Sequence, residues 1–152
     1  MKISLKEYIK KRNGVSIGSP KSLRNNLYRS LGARNFSVFW RYWNPIFGYY
    51  LGKYIFKPLK NTFPAAFALM FTFIFCGLLH DTVTMMLRGS ISLFFTIWFS
   101  LMGTAVLVTK FLNNDYSKKS WIIRALANST IITACFLSTI YINKLLIRNF
   151  LD

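Results

Sequence analysis

Acidic residues are almost missing from this chain: Glu7, Asp81, Asp115 and Asp152 stand against 20 lysines and arginines, a formal net charge of +16. Histidine occurs once, at His80, and cysteine twice, at Cys76 and Cys135. One imidazole, four dispersed carboxylates and two thiols outside any CxxC spacing offer no ligand set for zinc, so no metal site is expected. Both cysteines lie inside apolar runs, where a free thiol behaves as a small buried hydrophobe. No secretory leader is expected either, because the first long apolar run begins only after about sixty polar and basic residues. Internal repeats are absent, and 152 residues set a prior of one domain.

Apolar and aromatic residues dominate what is present. Hydrophobic residues make up 53% of the chain and aromatics 18%, with 15 phenylalanines, which is too much for an ordinary soluble surface. A strongly basic balance suits either nucleic acid or anionic lipid headgroups. Position decides: thirteen of the 20 basic residues precede Asn61, and the long apolar runs that follow are nearly uncharged. That is the layout of a membrane protein with a basic flank, and no soluble fold with a basic face is visible for nucleic acid. Membrane lipids, not nucleic acid, are the expected partners.

Residues 1–35 read as a basic segment, cytoplasmic or interfacial, and 36–152 as the membrane domain. Within the first, Leu5, Tyr8 and Ile9 would share one face of a helix opposite lysines. A short interfacial helix with snorkelling lysines and a partly ordered basic tail both fit. A second short helix, roughly Ser22 to Leu31, follows the Ser19-Pro20 break. Phe36 to Leu59 is too interrupted to span: Arg41, Asn44-Pro45, Gly48, Gly52 and Lys53 break it, and Pro58 is expected to close it. Six of the eleven residues from Trp40 to Tyr50 are aromatic, the composition of a bilayer interface. An interfacial helix to about Trp43, a turn at Asn44-Pro45 and a second helix lying in or dipping into the membrane are expected.

Three spans follow, at about 64–87, 91–109 and 121–143, so the expected fold is all-α, with basic interfacial or re-entrant helices ahead of three transmembrane helices. Thr72, Cys76, His80 and Thr84 recur every four residues and share a small polar face of the first span, beside an aromatic stripe of Phe67, Phe71 and Phe75. Thr96, Ser100 and Thr104, with Gly103 beside them, form a similar face on the second, suited to close approach and hydroxyl bonds across helices. Lys110, Lys118 and Lys119 mark the second loop, whereas Arg88 alone marks the first. The positive-inside rule therefore places the N-terminus in the cytoplasm and leaves the C-terminus, with Lys144 and Arg148, outside.

A lone histidine on a membrane helix has two readings: a polar residue bonded to a neighbouring helix, or a general base that takes a proton from a hydroxyl. Three segments bear on the choice. They are Phe39-Trp40-Arg41-x-Trp43-Asn44, Leu51-x-x-Tyr54-Ile55-Phe56-x-Pro58-Leu59, and Phe73-x-x-Cys76-Gly77-Leu78-x-His80-Asp81. In order, mutual spacing and the 36-residue interval from Asn44 to His80, they resemble the core of the membrane-bound O-acyltransferase (MBOAT) family over about 45 residues. The resemblance implies transfer of an acyl group from a thioester, acyl-CoA or acyl carrier protein, to a hydroxyl of a lipid, glycan or other acceptor. It makes His80 the catalytic base and Asn44 the polar partner that orients donor or acceptor, with Trp40, Arg41, Trp43, Tyr54, Cys76 and Asp81 as candidate substrate contacts. No further cofactor is implied. Cys76 departs from the small hydroxyl residue usual in the family, and Asp81 from the residues that more often follow the histidine. Family members usually enclose a tunnel with about eight to eleven spans, so three spans imply completion by a homo-oligomer or a partner membrane protein. A bacterial inner membrane is the expected location. The alternative reading is a small non-catalytic membrane protein that binds lipid or a partner through the same aromatic-basic surface.

Overall fold

The computed structural model describes residues 3–90 and 92–151, with side chains through Leu146. Among the described residues every regular element is a helix, with no strand. Three helices are long and apolar enough to cross a membrane: α6 (Ala65–Arg88), α7 (Phe94–Phe111) and α8 (Trp121–Leu151), the last apolar over Trp121–Leu146. At 1.5 Å per residue α6 is about 36 Å long and α7 about 27 Å, against a hydrocarbon core of about 30 Å. The protein is an all-α integral membrane protein. Ile91, where the second span was expected to begin, and the side chain of Arg148 lie outside the described residues.

Ahead of the spans come α1 (Leu5–Asn13), α2 (Ser22–Leu31), α3 (Phe36–Tyr42), α4 (Pro45–Leu51), a π-helical segment (Gly52–Phe56) and α5 (Lys57–Thr62). The first stretch is a helix, and a capping box explains why. Ser4 Oγ accepts from the Glu7 N–H, and the Glu7 carboxylate accepts from the Ser4 N–H at 2.9 Å. Hydrogen bonds donated to it by the Ser4 N–H and the Ser4 hydroxyl hold the Glu7 carboxyl below its usual range. Gly14, at φ 81°, ends the helix in the left-handed conformation. The Leu5/Tyr8/Ile9 face turns onto protein: Ile9 is buried, and the Tyr8 ring meets Tyr49 edge-on at 5.4 Å.

Pro58 does not close the next stretch. Helical backbone continues through it to Thr62. The π-helical segment immediately before it supplies the reason: the Lys57 N–H reaches back five residues to the Gly52 carbonyl. That wider turn relieves the clash a proline ring makes with the carbonyl four residues earlier in an α-helix.

The core lies where α3, α6 and α7 meet. Phe36, Phe39, Cys76, Phe99, Met102 and Val106 form one buried cluster, with Trp40 and Phe73 packed against it. α6 packs along α7 and α7 along α8. Gly77 makes the first approach possible, since a Cβ there would lie 2.6 Å from Thr96 Cα and 2.7 Å from Phe95 O. Of the hydroxyls expected to bridge helices, Thr96 does so, while Ser100 and Thr104 bond their own backbone at Thr96 O and Ser100 O, as Thr72 does at Ala68 O. A hydroxyl in hydrocarbon needs an acceptor, and the carbonyl one turn back is always within reach.

The basic end is tied to the last helix through the α2–α3 connection. Asn128 of α8, fully buried, donates from Nδ2 to Leu31 O and Ala33 O, both at 2.9 Å. Trp121 stacks on Tyr28 and donates its indole N–H to Tyr28 O at 2.9 Å. In the α7–α8 loop, Tyr116 N–H donates to Arg34 O at 2.8 Å, and Asp115 lies 3.7 Å from the Arg34 guanidinium. Hydrogen bonds from Ser117 and the nearby Arg34 lower the Asp115 carboxyl below its usual range.

Candidate active site

Asn44 sits between α3 and α4 in the left-handed conformation, φ 39° and ψ 72°. Asparagine tolerates that region better than most side chains, and Pro45 pre-sets the first turn of α4. The Asn44 carbonyl oxygen Oδ1 accepts from the Phe47 N–H at 3.2 Å and so caps α4. Its amide Nδ2 donors have no partner among the described residues. Phe47, aimed by that cap, brings its ring edge-on to the His80 imidazole at 6.1 Å and 87°.

His80 occupies the 16th of the 24 positions of α6. Its Nδ1 lies 2.8 Å from the Cys76 carbonyl one turn earlier. A carbonyl only accepts, so Nδ1 carries the proton of the neutral ring and Nε2 keeps its lone pair. Phe95 and Phe99 of α7 flank the ring at 5.5 and 5.1 Å, tilted by 39° and 31°. These contacts define one rotamer and one tautomer, and Nε2 has no hydrogen-bond partner among the described residues.

Asn44 and His80 line the same cavity. Its volume is about 240 Å³, and it lies between the α4–π stretch on one side and α6 on the other, with Phe99 of α7 closing part of the wall. Trp40, Trp43 and Cys76, named from the sequence, line it too. So do Phe47, Gly48, Leu51, Gly52 and Phe56, together with Leu69, Thr72 and Phe73 of α6. The signal for these was the four-residue spacing of Phe47 with Leu51 and of Gly48 with Gly52, which places them on one helical face. Trp40 carries a buried indole N–H with no partner among the described residues. Both Asn44 and His80 are exposed, so the cavity opens where the two polar side chains stand.

Arg41, Tyr54 and Asp81 are not among the lining residues. Arg41 is exposed on α3. Tyr54 is 58% exposed, stacked on Tyr50 and covered by the Lys53 ammonium at 4.8 Å. A hydrogen bond to Tyr54 raises the Lys53 ammonium above its usual range. Tyr54 falls on the outer face because the cavity face of this stretch is already set by Gly48, Leu51, Gly52 and Phe56. Asp81, next to the histidine in sequence, points the other way around α6 and is buried against the start of α7. Of the polar stripe read from the sequence, Thr72, Cys76 and His80 reach the cavity and Thr84 does not. Among the described residues, no three His, Cys, Asp or Glu side chains converge to hold a metal ion.

The Asn44 amide and the His80 imidazole thus border one largely apolar cavity. A model of the membrane-bound O-acyltransferase family matches residues 19–142, most of the chain, Asn44 and His80 included. The chain belongs to that family, whose activity is acyl transfer within the membrane. No curated relative and no solved structure matches it.

Proposed function

We propose that the protein transfers an acyl group from a thioester, acyl-CoA or acyl carrier protein, to a hydroxyl of a lipid, glycan or other membrane acceptor, with His80 as general base. The acceptor hydroxyl would give its proton to His80 Nε2 as its oxygen bonds to the thioester carbonyl carbon. The carbonyl oxygen, gaining negative charge, would take a hydrogen bond from the Asn44 amide Nδ2. Collapse of the tetrahedral intermediate breaks the C–S bond, and the proton held by His80 passes to the departing thiolate. The ester forms and a free thiol leaves, so atoms and charge balance. The observation that carries the reading is the shared cavity of Asn44 and His80. Its apolar walls suit an acyl chain.

In this reading the basic N-terminal helices face the cytoplasm of a bacterial inner membrane, where anionic headgroups and a phosphorylated acyl carrier meet lysines and arginines. The open side of the cavity admits the acceptor from the bilayer. A partner membrane protein or a second copy would cover it there. The test uses purified protein in liposomes, a labelled acyl thioester and extracted membrane components. Wild-type protein should label a hydroxyl-bearing acceptor, and His80→Ala should lower the rate by roughly 10²–10⁴-fold, the range for losing a general base. Transfer unaffected by His80→Ala would sink the assignment.

A further inference from the structure

We infer that Asp81 is a positioning residue for the His80 imidazole, acting through the first turn of α7. The inference rests on the role proposed above for His80. Asp81 is 1% exposed, and a carboxylate so deep in a membrane helix pair must be fully partnered. Its partners are all on α7. Oδ1 accepts from the Phe95 N–H at 2.9 Å, and Oδ2 accepts from the Thr96 N–H at 2.7 Å and from the Thr96 hydroxyl at 2.6 Å. The residue at α7's own cap position, Leu93, has no side-chain oxygen to offer. A carboxylate from the neighbouring helix therefore takes the place of the cap and sits at the positive end of the α7 dipole.

The two residues clasped this way are tied to the imidazole. Phe95 donates its N–H to Asp81 and lays its ring on His80, and Phe99, one turn on, lays its ring beside it. Gly77, one turn before Asp81, lets the α6 and α7 backbones touch so that a side chain as short as aspartate spans the gap. The imidazole is thus held along α6, where Nδ1–H meets Cys76 O, and by the Phe95 and Phe99 rings of α7, with the Phe47 ring of α4 edge-on to it. Without the carboxylate, three N–H and O–H donors at the start of α7 lose their acceptor. The first turn frays, and Phe95 no longer fixes the ring.

The single histidine makes the test direct, because ¹⁵N-histidine labelling in lipid bilayers reports His80 alone. Wild-type protein should show one Nδ1–H tautomer. Asp81→Ala should show mixed tautomers and ring averaging, and Asp81→Asn, which keeps one acceptor oxygen, an intermediate state. On the same liposomes kcat should fall in the same order, by about 10²-fold for Asp81→Ala, as displacement of a catalytic group by roughly 1 Å predicts, with KM for the thioester little changed. Should Asp81→Ala fail to fold, Thr96→Val removes only the hydroxyl donor and carries the same measurements. A folded variant with the wild-type imidazole spectrum, or with a changed spectrum and unchanged kcat, overturns the inference. A wild-type protein with the fixed tautomer and no acyl transfer removes His80 as base, and the spectroscopic series then decides the clasp by itself.

Discussion

The two ends of the Asn44 amide are differently engaged, and the proposed reaction uses the end the fold leaves over. Oδ1 caps α4, while Nδ2 remains available to a substrate oxygen. Alanine at this position removes both functions and adds left-handed strain, so its effect on activity would not separate folding from chemistry. Aspartate separates them. It caps a helix as well as asparagine and tolerates the same backbone, but an ionised carboxylate donates nothing. Asn44→Asp should therefore keep the melting temperature close to wild type while lowering kcat about 10²-fold, the effect of losing one oxyanion donor. Thermal unfolding in detergent and single-turnover acyl transfer measure the two quantities. An Asn44→Asp variant at the wild-type rate would show that Asn44 serves the backbone alone. The same division of labour explains Asp81: its neighbour in sequence faces the cavity, but the next position along an α-helix turns about 100° away.

Elements place these residues, and small features of sequence decide how the elements run. The π-helical turn at Gly52–Phe56 carries the helix past Pro58 and keeps Gly48, Gly52 and Phe56 on the cavity wall. Gly77 sets the separation of α6 and α7. A methyl there meets backbone atoms, 2.6 Å from Thr96 Cα and 2.9 Å from Thr96 N, and backbone cannot step aside as a side chain can. Gly77→Ala should destabilise the helix pair by about 1–3 kcal/mol, the usual effect of overpacking, and should lower activity by moving Phe95 and Phe99 off the imidazole. Equilibrium unfolding in mild detergent with parallel rate measurements checks this. Unchanged stability and rate would mean that the two helices ride apart without consequence.

On the scale of the molecule, α8 is the tie between the membrane helices and the basic amphipathic end. Asn128 reaches across 97 and 95 residues of sequence to Leu31 O and Ala33 O, and Trp121 holds the preceding turn of α2. Leu31 and Ala33 lead directly into α3, which carries Trp40 and ends at the turn of Asn44. Asn128→Ala should lower stability by about 1–2 kcal/mol through two buried carbonyls left without a donor. Faster hydrogen exchange across α2 and α3, with α6 unaffected, would mark the lost tether. Exchange that rises uniformly would argue for a global effect instead.

Hydrophobic runs of bilayer length made the helical membrane fold legible from the residues, whereas Asn44 and His80 were singled out by the family resemblance of the segments that carry them, and the structure sets both on one cavity. Periodicity and composition act locally, so one strand of text carries them. What needed the tertiary structure were the features that depend on two elements meeting. The sequence shows hydroxyls on a helix face but not whether they bond across it, and only the packed helices show Thr96 reaching Asp81 while Ser100 and Thr104 turn back onto their own backbone. It shows Asp81 beside His80, yet the direction of that carboxylate follows from the rotation of α6 against α7. Whether Tyr54 or Gly52 faces the cavity depended on the π-helical turn, which shifts the register of every later residue. Chain neighbours are settled by covalent geometry; which side chains share a cavity is settled by the angle and distance at which helices pack.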